Sequence, residues 1–333
     1  MWELHKWSAW QSALTQLYPS TPQFTETNVP DLSGRVCIVT GANTGVGKEV
    51  ASILYSKNAI VYATSRSEEK GLAAIAAIKE QHPSSMGRLE LLPLDLADLS
   101  TIKGSAETFL QKEDKLHLLI NNAGVMFPPD GSKTAQGYEL QLGVNCLGPF
   151  LFTRLLTPLM VKTAQASVPA SVRVVWVSSS AAEMLSPRVG VDMTNLDYNR
   201  QVFYPIKYGT SKAGNYFHST EFAKRHRDDG IISVALNPGN LRSDLDRHVT
   251  GLIERTFRAL TVYPAINGAY TELFAALSPD VTMETSGGWI IPWGRILHIR
   301  ADLQQGAKSE SEGGTGLAES FWKWSEDQVR EFM

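Results

Sequence analysis

Two side chains four residues apart, Tyr208 and Lys212, form a pair suited to proton transfer. Residues four apart on a helix share one face, so the phenol and the ammonium can reach the same site. The ordinary pKa of tyrosine, ~10, is too high for proton exchange at neutral pH, and a nearby cation favours the phenolate. Because the chain contains ten tyrosines, such a pair can also arise by chance. The interpretation therefore depends on the residues that accompany it.

A glycine-rich turn follows the first predicted strand and leads directly into a helix. Glycines let the chain turn tightly and bring backbone N–H groups close to a pyrophosphate at the positive end of the helix. The spacing of the glycines is a variant of the common dinucleotide fingerprint, although a plain strand-to-helix turn could have a similar composition. The residues that we assign to dinucleotide binding here are Gly41, Asn43, Thr44, Gly45, Val46 and Gly47.

The end of the second predicted strand indicates which dinucleotide would bind. A carboxylate in this place grips the ribose hydroxyls of NAD, but Ser65 and Arg66 supply none. An arginine can instead pair with the 2′-phosphate of NADP, because its guanidinium matches phosphate geometry and stays charged. Lys48 can assist it. We therefore predict NADP(H) as the cofactor, the alternative for Arg66 being an ordinary solvated loop arginine.

Further polar residues and glycines stand just beyond the ends of later strands. They are Asn121, Asn122, Ala123 and Gly124 after one strand, Asn145 in the helix that follows, Ser178, Ser179 and Ser180 after another strand, and Pro238 and Gly239 after a third. Single members of this set have ordinary structural alternatives, such as helix or turn capping. Their joint occurrence in this order favours one site at the carboxyl edge of a sheet.

Short β-branched runs alternate with longer helical patterns from Arg35 onward, which is typical of a parallel sheet covered by helices on both faces. Seven strands are predicted at 35–40, 59–64, 89–93, 116–121, 172–178, 231–236 and 289–291, and helices near 46–57, 68–81, 99–112, 136–162, 206–227 and 264–277. The predicted fold class is α/β, a single-domain doubly wound Rossmann fold with a mainly parallel seven-stranded sheet.

Three parts of the chain are distinguished. Residues 1–31 are predicted to be an N-terminal extension, with Trp2, Trp7 and Trp10, that packs on the domain in preference to lying on a membrane surface. Residues 32–302 form the Rossmann domain, with substrate loops at about 183–206 and 240–263. Residues 303–333 form a polar linker, which ends near Gly316, and an aromatic C-terminal helix that packs on the core.

Charge and composition argue against several classes of function. The 31 basic and 34 acidic residues nearly cancel to a net charge of −3, so nucleic-acid binding has no electrostatic footprint. Seven scattered histidines and two cysteines, Cys37 and Cys146, lack metal-ligand spacing, and we expect no metal and two buried free thiols. Neither a targeting signal nor a run of ~18 apolar residues is visible, so we expect a cytoplasmic protein without a transmembrane segment.

Taken together, the motifs resemble those of the short-chain dehydrogenase/reductase family over about residues 32–293. The match consists of the glycine turn, Asp95 and Leu96 after the third strand, the Asn121–Gly124 motif, Asn145, Ser179, Tyr208, Lys212 and Pro238–Gly239, in that order. Segments 40–48 and 121–126 are similar to the retinol-dehydrogenase-like and WW-domain-oxidoreductase-like branch. The C-terminal region is similar to fungal members of unassigned substrate, and secondary metabolism is the expected setting.

The resemblance implies an oxidoreductase that interconverts a carbonyl and an alcohol. It implies that Tyr208 is the general acid or base, that Lys212 supports it and holds the nicotinamide ribose, that Ser179 orients the substrate oxygen, and that Asn145 holds a water leading to Lys212. It also implies cofactor contacts from Asp95, Leu96, Asn122, Ala123, Gly124, Tyr208, Pro238, Gly239 and Leu241. Ser243 stands where the family usually has a threonine that binds the carboxamide, and it keeps only the hydroxyl.

The segments that form the substrate wall in this fold are largely apolar here, which favours a small lipophilic substrate and, with NADP(H), a reductase. Core packing would use many of the same residues. Two other functions are weighed: a non-catalytic cofactor-binding scaffold, although all four catalytic residues are present, and a family member with epimerase or dehydratase chemistry. The family often forms homodimers through helices near 136–162 and 206–227, although the aromatic termini could cap that surface.

Overall fold

A computed structural model describes residues 14–242 and 262–333. Within these ranges, eight strands form one sheet in the order β3-β2-β1-β4-β5-β6-β7-β8, and only the pair β7 and β8 is antiparallel. The strands are β1 Val36–Val39, β2 Ile60–Ser65, β3 Arg88–Pro93, β4 Leu118–Asn121, β5 Val172–Val177, β6 Ile231–Leu236, β7 Trp289–Ile291 and β8 Arg295–Leu297. The predicted doubly wound α/β fold is confirmed.

The strand order reverses between β1 and β4, because β2 and β3 are added on one side of β1 and the later strands on the other. In an open parallel sheet, ligands bind outside the carboxyl ends of the strands at this reversal point. The glycine turn follows β1 and the Asn121–Gly124 motif follows β4. The topology therefore brings two distant motifs to one crevice.

Helices cover both faces of the sheet. In chain order they are α1 Gly45–Ser56, α2 Glu68–Gln81, α3 Leu99–Leu110, α4 Leu140–Leu142, α5 Gly148–Gln165, α6 Ala181–Met184, α7 Tyr204–Arg225, α8 Ala265–Leu277, α9 Ala301–Ala307 and α10 Leu317–Val329. One apolar layer contains residues of α1, α2 and α8, and the other contains residues of α3, α5, α7 and α10.

Strand β1 shows why its sequence is apolar without alternation. Val36 and Ile38 pack into one apolar layer, whereas Cys37 and Val39 pack into the other. Successive side chains of a strand point to opposite faces, so a strand covered on both sides needs apolar residues at every position. Cys37 and the second cysteine, Cys146, are both buried and free, as predicted.

The structure corrects three predictions about the elements of the fold. The sheet has eight strands and not seven, because β8 is a three-residue, partly exposed strand that is too short to give an apolar pattern. The helix predicted near 136–162 begins at Leu140 and contains a π-helical segment, Gly143–Leu147, between α4 and α5. Part of the predicted polar linker is helix α9, which buries Leu303 against the core.

The C-terminal helix α10 packs against α7, where its two central aromatic side chains, Phe321 and Trp322, are fully buried. The Trp322 ring lies edge-on to Phe150 of α5 at 4.8 Å between centroids, and Glu326 forms an ion pair with Arg154 of the same helix. Helix α10 therefore covers the outer surfaces of α5 and α7.

Within the described residues, one helical run, Leu140–Gln165, is long and apolar enough to cross a membrane. Because 78% of its apolar window is buried inside the protein, it has the environment of a core helix. The tryptophans at positions 2, 7 and 10, and most of the predicted substrate loop 240–263, lie outside the described residues.

Candidate active site

The glycine turn after β1 adopts a backbone that side chains would obstruct. Gly41 and Gly45 have φ values of +68° and +58°, in the left-handed region that favours glycine. A Cβ on Gly47 would lie 2.4 Å from Asn122 Nδ2 and 2.7 Å from the carbonyl oxygen of Gly41. Helix α1 begins at Gly45, with Thr44 at its N-cap, so the first N–H groups of the helix, which have no acceptor within the helix itself, lie at this turn. This geometry fits a pyrophosphate.

The motif after β4 holds the glycine turn in place. Asn122 donates from Nδ2 to the Thr40 carbonyl at 2.7 Å, and the Ala123 N–H donates to Thr40 Oγ1 at 2.9 Å. Gly124, the last residue of this motif, brings the chain close to the predicted catalytic lysine, because a Cβ there would lie 3.4 Å from Lys212 Nζ. The motif therefore connects the two halves of the site.

The residues predicted to hold the adenosine half of a cofactor lie at the ends of β2 and β3. Arg66 directly follows β2 and is exposed, while the neighbouring Ser65 hydroxyl donates to the Ser67 carbonyl at 2.8 Å. Asp95 is half-buried beyond β3, and its Oδ1 accepts from the Ala97 N–H at 2.9 Å. Leu96 is buried in the core. An exposed guanidinium at this edge is available to a phosphate in solution.

Tyr208 and Lys212 lie together in the first turns of α7, which starts at Tyr204 with a proline in its first turn. Their side chains are only 6% and 5% exposed, and the Lys212 Nζ lies 5.8 Å from the centroid of the Tyr208 ring. The Nζ donates to the carbonyl oxygen of Val177, the last residue of β5, at 2.9 Å. The sheet thus fixes the ammonium beside the phenol at the carboxyl edge.

Burial lowers the pKa of Lys212 to about 8, an effect that nearby Cys146 and Glu272 partly oppose. Desolvation disfavours the charged form of an amine. Glu272 on α8 is itself fully buried, and neither of its carboxyl oxygens has a hydrogen-bond partner among the described residues. Burial raises the pKa of this carboxyl to about 8, with the charge of Lys212 acting against the rise. The site therefore contains two buried titratable groups that influence each other.

Asn145 sits in the π-helical segment before α5. Its side chain accepts from the Val125 N–H at 2.8 Å and donates both to the Val125 carbonyl and to Ser211 Oγ, each at 3.0 Å. Its own carbonyl accepts from Asn215 Nδ2 at 2.6 Å. Single π-helical turns inside α-helices are frequent at functional sites. These bonds anchor α7 to the chain beyond β4, and the predicted water-holding role of Asn145 stays a prediction.

The serines after β5 have different surroundings. Ser178 is buried and its hydroxyl donates to the Lys212 carbonyl at 2.6 Å, so it holds helix α7. Ser179 is half-buried, and its Oγ accepts from the Ala181 N–H at 3.2 Å. Its hydroxyl hydrogen is thus available for a substrate oxygen. The assignment of the substrate-orienting role to Ser179 stays a prediction.

Pro238 and Gly239 follow β6 at the same edge. Gly239 has φ +97°, and a Cβ on it would lie 2.7 Å from the ring of Trp293. Leu241 pairs with Tyr263 as an isolated bridge and packs on Gly268 of α8. Ser243, predicted to bind the carboxamide, lies outside the described residues.

Aromatic rings lead outward from Tyr208. The Phe127 ring lies 5.3 Å from the Tyr208 ring and 5.3 Å from the Tyr204 ring, and Tyr204 lies 5.1 Å from Phe203. Phe203 and Tyr204 are exposed, as is Met184 at the end of α6. The phenol therefore lies at the inner end of an apolar surface.

Sequence reasoning missed several residues of this site. Asn215 lies seven residues after Tyr208 and three after Lys212 on α7, so helical spacing alone could have placed all three on one face. The sequence of α8 gives no such signal for Glu272, because an isolated glutamate in a helix is usually exposed.

A doubly wound sheet with a glycine turn at its reversal point defines a dinucleotide-binding class of protein, and the buried tyrosine and lysine beside it suit proton transfer. Comparisons with known proteins make this specific. The family model "short chain dehydrogenase" matches residues 35–191. A short-chain dehydrogenase/reductase from Phomopsis amygdali is 52% identical over 97% of this chain and 98% of its own length.

Another short-chain dehydrogenase/reductase, from Neocamarosporium betae, is 48% identical over 97% of this chain and 94% of its own. The crystal structure of a putative uncharacterized protein from Mycobacterium Paratuberculosis has a TM-score of 0.66 at 27% identity, covering 93% of this chain and 98% of that one. The chain belongs to the short-chain dehydrogenase/reductase family, and it is therefore an oxidoreductase of a class that uses NAD or NADP. The comparisons do not specify the retinol-dehydrogenase-like branch.

Proposed function

We propose that the protein is an NADP(H)-dependent oxidoreductase that interconverts a ketone or aldehyde and an alcohol on a lipophilic small molecule, working mainly as a reductase. The observation that carries this proposal is the buried pair of Tyr208 and Lys212 at the carboxyl edge, next to a glycine turn that accepts no side chain at Gly47. Such a pair can exchange a proton with a substrate oxygen beside a bound dinucleotide.

Five parts of the site would hold the cofactor. The N–H groups of the glycine turn suit the pyrophosphate, Arg66 suits the 2′-phosphate, Asp95 suits the adenine amino group, and Lys212 suits the nicotinamide ribose. The motif from Asn122 to Gly124 would line the ribose beside the turn. When bound, NADPH supplies the hydride that reduces the carbonyl carbon.

Tyr208 donates its proton to the substrate oxygen as that oxygen gains negative charge. The ammonium of Lys212 stabilises the resulting phenolate, because an opposite charge close by favours the ionised form. With its pKa lowered to about 8, Lys212 is still largely charged at neutral pH. Ser179 donates its hydroxyl hydrogen to the same substrate oxygen and fixes its direction. Asn145 positions Lys212 by holding Ser211, the residue that precedes it.

The substrate is proposed to be lipophilic because the surface around Tyr208 is apolar. Phe127 packs on the Tyr208 ring, and exposed Phe203 and Tyr204 continue this surface outward. Binding a hydrophobic molecule removes this apolar area from water, which contributes a favourable free energy of about 25 cal/mol per Å² buried. Efficient turnover of small anionic substrates alone would contradict this assignment.

The central test is NADPH consumption with a panel of aryl and alkyl ketones and aldehydes, comparing wild type with Tyr208→Phe. Loss of the acidic hydroxyl should lower kcat by at least about a hundredfold. Tyr138→Phe is the matched control, because the Tyr138 hydroxyl donates to Gln328 at 3.0 Å on the C-terminal helix. A Tyr208→Phe variant as active as wild type would refute the mechanism. NADPH binding without turnover of any carbonyl would favour a non-catalytic scaffold.

Cofactor choice is tested with Arg66→Ala. We expect the KM for NADPH to rise about tenfold or more while the KM for NADH stays constant, since only the phosphorylated cofactor offers a partner to the guanidinium. Arg227→Ala removes another exposed arginine, which donates to the Met283 carbonyl, and serves as control. Equal use of both cofactors by the wild type would refute the NADP assignment.

We also propose a cytoplasmic location, supported by the core environment of the apolar run Leu140–Gln165. A fluorescent fusion should then distribute evenly through the cytoplasm. Accumulation of the fusion on a membrane would contradict this proposal.

A further inference from the structure

The N-terminal segment 14–18 is tied to the domain by polar contacts. Gln16, in its helical turn, is 7% exposed. Its side chain donates from Nε2 to Glu183 Oε2 at 2.8 Å and accepts at Oε1 from Asn237 Nδ2, also at 2.8 Å. One amide therefore connects two parts of the chain that are far apart in sequence.

Both partners of Gln16 adjoin the candidate active site. Glu183 lies in α6, which begins two residues after Ser179. Asn237 directly follows β6, and its Oδ1 accepts from the Gly239 N–H at 3.0 Å. Gln16 thus joins the start of the segment that leads to Tyr208 with the turn that contains Gly239.

The backbone of the segment is held separately. Arg295 of β8 donates to Thr15 Oγ1 at 2.5 Å and to the Thr15 carbonyl at 2.6 Å. Tyr263 donates from its hydroxyl to the Leu17 carbonyl at 3.4 Å, and its ring lies 5.1 Å from the ring of Trp293. Trp293 is also the ring that packs on Gly239. The anchors form one network around the turn after β6.

The position along the sheet separates this segment from the residues assigned to the pyrophosphate and the adenosine half of a cofactor. The glycine turn, Arg66 and Asp95 follow β1, β2 and β3, whereas the anchors of the segment lie on or after β5, β6 and β8. Leu14 and Tyr18, four residues apart on the segment, are its exposed apolar residues. A perturbation of the segment should therefore reach the substrate end of the site and spare the contacts with the pyrophosphate and the adenosine half of the cofactor.

We propose that residues 14–18 form the outer wall of the substrate site, held there by Gln16, and that this wall contacts the part of a lipophilic substrate farthest from its carbonyl group. This inference rests on the proposed function, since it assigns one end of the same site. Gln16 acts as a positioning residue, and the wall sets the preference for substrate length.

The test compares acetophenone with octanophenone, which differ only in alkyl chain length, at saturating NADPH. In Gln16→Met, which keeps the side-chain length and removes both hydrogen bonds, we expect the KM for octanophenone to rise at least about fivefold, the equivalent of one net hydrogen bond. The KM for acetophenone, the kcat values and the Kd for NADPH should stay within about twofold of wild type. Arg295→Lys, which loses the forked contact with Thr15, should give the same pattern.

Gln23→Met is the matched control, because Gln23 is exposed and, within residues 14–242 and 262–333, its amide donates to the nearby Thr21 carbonyl at 3.1 Å. An active wild type with unchanged octanophenone KM in both Gln16→Met and Arg295→Lys would overturn the inference alone. So would parallel changes in octanophenone KM and NADPH Kd, since these indicate general loosening. A wild type that reduces no carbonyl would overturn the proposed function and this inference with it.

Discussion

Replacing the buried acid Glu272 with glutamine should stabilise the protein at neutral pH and have little effect in acid. The Glu272 carboxyl is fully buried without a hydrogen-bond partner among the described residues, and burial raises its pKa to about 8. Between the unfolded-state pKa near 4.5 and the folded-state value, only the folded protein keeps the proton. Stability contributed by this group is therefore lost as the pH rises through that window.

The expected magnitude follows from the pKa itself. One pKa unit corresponds to ~1.4 kcal/mol, so the rise from 4.5 to about 8 costs the wild type ~5 kcal/mol above pH 8 relative to acid. Two buried histidines, His117 and His218, have pKa values lowered to about 4 and about 3, and they increase stability as the pH rises toward 6.5. Only the difference between wild type and Glu272→Gln isolates the carboxyl.

The measurement is urea unfolding of both proteins near pH 5.5 and near pH 7.5. The stability advantage of Glu272→Gln should grow by about 3 kcal/mol between these conditions, since each pH unit within the window contributes ~1.4 kcal/mol. Glu107→Gln, which changes an exposed carboxyl on α3, controls for the substitution itself. A difference in unfolding free energy that is the same at both pH values would show that the native carboxyl holds no proton, and would refute the reasoning.

Three further predictions concern the glycine turn, the tail and the lysine. Gly47→Ala should weaken NADPH binding at least about tenfold and destabilise the fold by ~1–3 kcal/mol through overpacking. Gly104→Ala, which has open space around it, should leave the thermal stability unchanged or raise it. Calorimetry measures the stability of both variants. Trp322→Ala should lower the free energy of unfolding by ~3–5 kcal/mol, and Trp324→Ala, at a half-buried position, should lower it clearly less. Equal losses would contradict the deeper burial of Trp322. Reductive kcat should fall above about pH 8 as Lys212 loses its proton, and a flat profile to about pH 9.5 would exclude that role.

The parallel part of the fold could be predicted because its signals are local. Strands buried on both faces need continuous apolar runs, and β6 and β7 have the predicted bounds. Strand β8 could not be predicted, because a half-buried arginine followed by two exposed apolar residues carries no pattern, and its pairing with β7 depends on the turn at Gly294. The π-helical segment was also invisible, since its apolar residues fit an ordinary helix.

The candidate site was predictable where spacing or strand ends carry the information. Tyr208 and Lys212 share a helix face, and Ser179 follows a strand end, so sequence alone can place them near one another. Gln16 could not be assigned, because its partners Glu183 and Asn237 are 167 and 221 residues away and only the tertiary fold brings them together.

The packing of α10 bears on how this chain exists in solution. Without α10, the long helices α5 and α7 would expose a broad hydrophobic surface, which proteins of this family often bury in a homodimer interface. Here Phe321 and Trp322 fill that place from within the same molecule. Helix α10 therefore covers this surface within one chain, and dimer formation through α5 and α7 would first require α10 to dissociate from them.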